Sequence, residues 1–167
     1  MAGKRLRPMS FTRPAKLMIA ATLALLGELG CSSGGPVVRH LNPPTLPKPT
    51  GYTHVVEVVG GRTLYVSGQI AVDRDGAVVG KGDLKAQTRQ VFENLKLALA
   101  ACGATLDHVV KITVFMTDVS ELQAFRDVRN TYFTKDLPAS SLVQVVRLVR
   151  PELLIEIEAV AVVGSSD

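Results

Sequence analysis

The sequence predicts an α+β fold with the element order ββαβαββ, in which two helices cover one face of a sheet. The strongest observation is the last strand, because every second residue from 155 to 163 is apolar, as expected for a buried strand face. Two earlier segments carry apolar residues at three- and four-residue spacing, which is typical of amphipathic helices. Two helices cover only one face of a sheet, so the other face needs a different partner.

Five strands are predicted in order along the chain. The first two cover 54–59 and 63–72, with Gly60-Gly61 as a hairpin turn between them. A third strand over 108–116 carries apolar residues on one face: Val110, Ile112, Val114 and Met116. The last two strands follow Pro138, over 138–148 and 154–162.

Two helices separate these strands. Asp83 is the expected N-cap of the first, which continues to Cys102 and stops at Gly103. Its apolar stripe predicts that Cys102 is a small buried hydrophobe; the stripe comprises Leu84, Val91, Leu95, Ala98, Leu99 and Cys102. Ser120 is the expected cap of the second helix, whose stripe comprises Leu122, Phe125, Val128 and Tyr132.

The charge of the chain is concentrated at its N-terminus. The net charge is +4, yet residues 1–30 hold five basic residues against one acidic residue. The remainder is neutral, so the basicity does not indicate a nucleic-acid partner. With two cysteines in the chain, no disulfide framework is expected.

The N-terminal segment has the pattern of an export signal. An apolar run over 17–27 follows basic residues, and its length fits a signal peptide rather than a membrane span. Leu29-Gly30-Cys31 resembles the lipobox of bacterial lipoproteins, although Glu28 departs from it. We expect a signal peptide over 1–30, a lipid anchor on Cys31, and a location on the periplasmic side of a bacterial membrane. Soluble periplasmic export and an uncleaved start are the alternatives.

A linker and one domain follow the leader. Residues 31–50 are rich in Pro and Gly, which favours an extended spacer. Residues 51–164 are predicted to form the folded domain.

The second face of the predicted sheet is neither polar nor apolar throughout. On the last strand it begins with Glu156 and Glu158 and continues with Val160 and Val162, which suits a partly enclosed site better than open water. The same face includes residues from the other strands: Thr63, Tyr65, Ser67, Gln69, Val109, Lys111, Thr113, Phe115, Ser140, Leu142 and Gln144. We therefore expect a homo-oligomer with polar pockets at its subunit boundaries.

Five segments in order resemble the RidA/YjgF family over about residues 50–163. They are Gly51-Tyr52-Thr53-His54, the strand 64–70, the helix segment 87–96, the run 111–118 and Ile155-Glu156-Ile157-Glu158-Ala159. The resemblance implies a chorismate-mutase-like fold, a homotrimer and small-molecule sites between subunits. Many members hydrolyse reactive enamines and imines to a keto acid and ammonia, without metal or cofactor.

The resemblance also implies roles for particular residues. Glu156 aligns with the acid that positions water, Tyr52 with an aromatic wall, and Ser67-Gly68 with a bulge whose backbone approaches the ligand. Arg129 aligns with a second polar residue, usually Asn. Ser140 stands where active deaminases carry the Arg that holds the substrate carboxylate, a role that needs a planar cationic fork.

Each of these residues also has a purely structural interpretation. Glu156 could be a buried interface carboxylate, Gly68 a simple bulge, and Arg129 a solvated or interface ion-pair residue. Glu158 is expected to be structural. No histidine falls near Ser140, so a Ser-His nucleophile is not expected. The three histidines lack metal-ligand spacing; they are His40, His54 and His108.

Two functions follow from the sequence. The first is a hydrolytic deaminase of enamine or imine metabolites, with Glu156 orienting water. The alternative is a non-catalytic module that binds a small ligand or a partner on the same trimeric scaffold, which the loss of Arg at Ser140 favours. A third interpretation is a purely structural lipoprotein, which a cleft filled by its own side chains would support.

Overall fold

The computed structural model describes residues 35–164. The expected signal peptide and the lipid-carrying Cys31 lie outside these residues. Between residues 35 and 164, no helix has the length and apolar character needed to cross a membrane.

The described chain alternates strands and helices in the predicted α+β manner. In chain order the elements are β1 (Val37–Leu41), β2 (Val55–Val59), β3 (Arg62–Ile70), α1 (Leu84–Ala100), β4 (Val109–Met116), α2 (Leu122–Tyr132), β5 (Ala139–Gln144) and β6 (Ile155–Val163). Four strands form the main sheet in the order β3-β6-β4-β5. β6 is antiparallel to both neighbours, and β5 runs parallel to β4.

The core lies between this sheet and the two helices, which confirms the predicted fold class. The alternate residues of β6 predicted to be buried are all buried: Ile155, Ile157, Ala159, Ala161 and Val163. Phe92 and Leu95 of α1 and Phe125 of α2 are fully enclosed against them. Burial of these apolar side chains away from water is the main driving force for the packing of the helices on the sheet.

The predicted bounds of α1 are correct at its start and too long at its end. The Asp83 carboxylate accepts a hydrogen bond from the Ala86 N–H at 3.0 Å, as an N-cap should. Gly103 has a φ of +71°, which favours glycine after a helix. The helix ends at Ala100, and Cys102 in the turn beyond it is exposed. The prediction of a buried Cys102 is therefore wrong.

A short 3₁₀ turn precedes α2, so the predicted cap is displaced. The turn spans Val119–Glu121, and the Asp118 carboxylate accepts a hydrogen bond from the Ser120 N–H at 2.8 Å. The capping side chain is therefore that of Asp118, and Ser120 contributes only its backbone N–H.

A second, two-stranded sheet occupies the beginning of the described chain. β1 lies within the segment predicted to be linker and pairs antiparallel with β2. β2 and β3 belong to different sheets, so the predicted hairpin between them is wrong. Gly60 and Gly61 have φ of +77° and +85° and carry the chain from one sheet to the other.

The face predicted for β5 is also wrong. Ser140 pairs with Ile112 and Leu142 pairs with Val114, both on the face covered by the helices. Gln144 follows the same alternation, so these side chains lie opposite to the predicted face. Ser141 lies on the uncovered face instead. The cause is the parallel register between β4 and β5, which the alternation of β5 alone does not reveal.

Candidate functional site

A β-bulge brings the backbone of β3 against the Glu156 carboxylate. The register between β3 and β6 shifts between Val66 and Gln69, so Ser67 and Gly68 together lie opposite one residue of β6. A Cβ on residue 68 would overlap Oε1 of Glu156 and lie 2.8 Å from its Cδ. Only glycine at this position therefore lets the carboxylate rest on the strand backbone.

The bulge also changes which residues of β3 face outward. Gln69 pairs with Ile157 and Ile70 pairs with Glu156. Gln69 was predicted on the uncovered face, but after the bulge it lies in register with a buried residue. The extra residue in a bulge reverses the alternation that follows it.

The uncovered face of the sheet contains a cleft of about 420 Å³. Its polar and apolar lining residues include Tyr65, Ser67, Lys111, Thr113, Glu158 and Val160. Glu158, which is expected to be structural, contributes a carboxylate to the lining of this cleft. Glu156 lies further along the same face of β6, opposite Phe115.

Lys111 is the cation of this face. Its Nζ donates a hydrogen bond to Ser141 Oγ at 2.6 Å. Burial lowers the pKa of Lys111, and the negative charge of Glu158 raises it in part. The sequence placed Lys111 on this face but missed Ser141, because β5 was assigned the opposite orientation.

Arg129 lies on the helix layer, away from Glu156. It is buried near the end of α2, with 6% of its surface exposed. Its guanidinium rests on Gly51, since a Cβ there would overlap Nη2 and lie 2.7 Å from Cζ. Gly51 has a φ of +88°, so its conformation and its contact both require glycine.

Tyr52 lies on the segment that follows Gly51 and runs beside β5. The neighbouring Thr53 N–H donates to the Pro138 carbonyl at 3.1 Å, and Thr53 forms a parallel bridge with Ala139. The Tyr52 ring packs edge-on against His54, with ring centres 5.2 Å apart. Tyr52 is half-buried. It lies between Gly51, which contacts the Arg129 guanidinium, and Thr53, which pairs with the start of β5.

Within one chain, the predicted site residues fall into two groups. Ser67, Gly68 and Glu156 meet at the bulge, whereas Tyr52 and Arg129 lie around Gly51. Ser140 is near the second group through Ala139. On β4, Ser140 pairs with Ile112 and Glu156 pairs with Phe115, which are three residues or about 10 Å apart along the strand. The Ser140 side chain also lies on the opposite face of the sheet from Glu156.

The chain is similar in fold and in sequence to known small α+β proteins. The chain is 40% identical over 116 residues to a RutC family protein of Pyrococcus abyssi, covering 69% of this chain and 89% of that protein. It is 32% identical to the 2-iminobutanoate/2-iminopropanoate deaminase of Dermatophagoides farinae, covering 75% of this chain and 96% of that protein. The crystal structure of the Rid family protein YyfB of Yersinia pestis, of unknown function, matches with a TM-score of 0.70 and 40% identity. That match covers 75% of this chain and 98% of YyfB.

Residues 45–163 match the family described as endoribonuclease L-PSP. The chain belongs to this family, which is the RidA/YjgF family that its motifs resemble.

Proposed function

We propose that the domain hydrolyses small enamine or imine metabolites in a homotrimer, with Glu156 as the catalytic acid and base. The observation that carries this proposal is the Glu156 carboxylate held against Gly68, on a sheet face that the helices leave uncovered. The family relative named as an iminobutanoate deaminase supports the reaction class.

The chemistry requires one group that moves a proton between water and nitrogen. As the water oxygen bonds to the C=N carbon, Glu156 accepts a water proton and returns it to the nitrogen, giving a carbinolamine. The carbinolamine then loses ammonia and leaves a carbonyl group. A positioned carboxylate supports such transfers, and the contact between the Glu156 side chain and Gly68 fixes the position of this carboxylate at the bulge.

A second copy of the chain is needed to complete this site. Tyr52 and Arg129, the other predicted substrate contacts, lie on a different side of the chain from Glu156. We propose that trimer formation brings Tyr52 and Arg129 of one copy toward the bulge of its neighbour. Arg129 would then hold the substrate anion that a deaminase with Arg at position 140 holds there.

Glu156→Gln tests the catalytic role. We expect it to lower ammonia release from freshly generated 2-iminopropanoate by about a thousandfold, because an amide neither accepts nor returns the proton. The oligomeric mass and thermal midpoint should stay close to those of the unchanged protein. Glu57→Gln, on exposed β2, is the matched control and should keep full activity.

Two outcomes would contradict the proposal. Unchanged turnover in Glu156→Gln would remove its catalytic role, and dissociation of the oligomer in that variant would make Glu156 a structural interface residue.

A non-catalytic binding module is the second candidate, and Ser140 is the observation that favours it. Ser140 is uncharged and half-buried in register with Ile112, where the family resemblance implies a guanidinium. If the native protein does not hydrolyse imino acids but the Ser140→Arg variant does, the scaffold is adapted to ligands that lack the usual carboxylate.

Export and lipidation complete the proposal. The lipobox-like Leu29-Gly30-Cys31 and the apolar run before it support an anchor at Cys31 on the periplasmic side of the membrane. Incorporation of labelled palmitate that is lost in Cys31→Ser is the measurement; incorporation that persists would contradict lipidation at this residue.

A further inference from the structure

A second cleft, at the end of α2, has two arginines and no acidic side chain in its lining. The cleft is open to solvent and has a volume of about 640 Å³. Its polar residues and its glycine are Thr50, Gly51, Gln123, Arg126, Arg129, Asn130 and Thr134. Hydroxyl, amide and guanidinium groups together can all donate hydrogen bonds to an anion.

Arg129 is buried without a counter-charge in the described part of the chain. Its Nε and Nη2 both donate to Asn130 Oδ1, at 3.2 and 2.8 Å. Among residues 35–164, no carboxylate lies within 4.0 Å of its guanidinium. Burial lowers the pKa of Arg129, and the positive charge of Arg126 lowers it further. A buried cation beside a like charge is unfavourable unless an anion joins it.

The groups already around Arg129 do not neutralise it. Phe125 offers its ring face at 5.7 Å, and a cation–π contact is weaker than the cost of burying an ion. The carbonyls at the end of α2 contribute roughly half an elementary negative charge. Arg126 and Arg129 carry two full positive charges, so the cleft keeps a net positive charge.

We infer that the cleft bounded by Gly51, Arg126 and Arg129 binds a small dianionic group, either a phosphate monoester or a pair of carboxylates. Two guanidiniums on one wall match two negative charges, and each can form paired hydrogen bonds to oxygen. The claim that this group belongs to the substrate rests on the proposed function. Binding of the anion itself requires no turnover.

Calorimetric titration of the full-length protein at pH 8 with inorganic phosphate, malonate and acetate tests the inference. We expect saturable binding of phosphate or malonate, at least about tenfold tighter than that of acetate, because acetate offers one charge for two guanidiniums. Tighter binding of phosphate would indicate a phosphate monoester, and tighter binding of malonate would indicate a pair of carboxylates.

Two substitutions compare Arg126, which is half-buried in the cleft, with Arg74, which is exposed elsewhere. Arg126→Gln should weaken phosphate or malonate binding by about tenfold or more, since it removes a charged hydrogen-bond donor without emptying the core. Arg74→Gln removes an exposed arginine outside the cleft and should leave binding unchanged. Arg129→Gln is a secondary variant, since loss of a buried side chain can also alter folding.

Two results would overturn the inference: no saturable binding of either dianion to the native protein, or equal dianion binding in Arg126→Gln and the native protein. If the native protein binds neither dianion and the oligomer dissociates in Arg126→Gln, a neighbouring copy fills the cleft with its own carboxylate. Glu156→Gln should still bind phosphate, at least as tightly as the native protein, because it removes a negative charge and no hydrogen-bond donor of the cleft. Dianion binding without imine hydrolysis would therefore reject the proposed function and leave this inference standing.

Discussion

At the scale of single residues, Gly68 determines where the Glu156 carboxylate can lie. The space for a Cβ at residue 68 is filled by Oε1 of Glu156. The obstacle is the end of a flexible side chain rather than backbone, so an added methyl group can displace it with little cost to the fold. Position 68 thus affects the geometry of the site more than stability.

Gly68→Ala should therefore reduce imine hydrolysis strongly, by about a hundredfold, while the thermal midpoint changes little. Misplacement of a catalytic group by about 1 Å is enough for such a loss. Steady-state kinetics and thermal unfolding measure the two effects. Gly35→Ala, where a Cβ meets nothing within 4 Å, is the control.

A double variant separates this mechanism from general damage. If Gly68→Ala acts through Glu156, adding it to Glu156→Gln should cause no further loss of activity. Additive losses, or a large fall in the thermal midpoint of Gly68→Ala alone, would contradict the mechanism.

At the scale of elements, Gln87 joins α1 to the loop that leads into β6. The side chain is fully buried. Its Nε2 donates to the Gly80 and Glu152 carbonyls at 3.2 and 2.7 Å, and its Oε1 accepts from the Leu154 N–H at 2.8 Å. Three backbone groups that the fold removes from water are therefore satisfied by one side chain.

Gln87→Met should lower the free energy of unfolding by about 3 kcal/mol. Methionine has a similar volume, so the loss reflects buried polar groups left without partners. Urea denaturation measures it. Gln90→Met, half-buried on the same helix, should cost less than about 1 kcal/mol, and equal losses in both variants would show that Gln87 has no special bridging role.

The elements that the sequence predicted well are those whose signal is local. The buried alternation of β6 and the Asp83 cap of α1 depend on residues a few positions apart. β1 was missed because Val37–Leu41 is short, weakly alternating and followed by prolines. The face of β5 was misassigned because it depends on its register with β4, which lies more than twenty residues earlier in the chain.

The candidate site shows the same limit. The sequence pointed to Glu156 and to the bulge at Ser67-Gly68, because the motifs that carry them are contiguous. It missed the packing of Arg129 against Gly51, which joins residues far apart in sequence. It also left Arg126 unnoticed, since a basic residue on a helix is indistinguishable from a solvated one until the cleft around it is known.

At the scale of the whole molecule, the uncovered sheet face calls for a partner. Tyr65, on the edge strand β3 beside Val160, is 84% exposed, and Val143 is 45% exposed. Lys111 and Glu158 lie among them with their charges partly matched. Apolar and aromatic groups beside polar ones in this way are typical of surfaces buried between subunits.

Tyr65→Lys should therefore convert a trimer into monomers, because it removes an exposed aromatic ring and places a charge that must lose its water in the proposed interface. Light scattering coupled to gel filtration should give three chain masses for the native protein and one for the variant. Leu97→Lys is the matched control, since Leu97 is 71% exposed on α1, on the helix layer. A native protein of one chain mass would remove the shared site on which the proposed hydrolysis depends. Dissociation by Leu97→Lys rather than Tyr65→Lys would place the interface on the helix layer, where the two-arginine cleft lies.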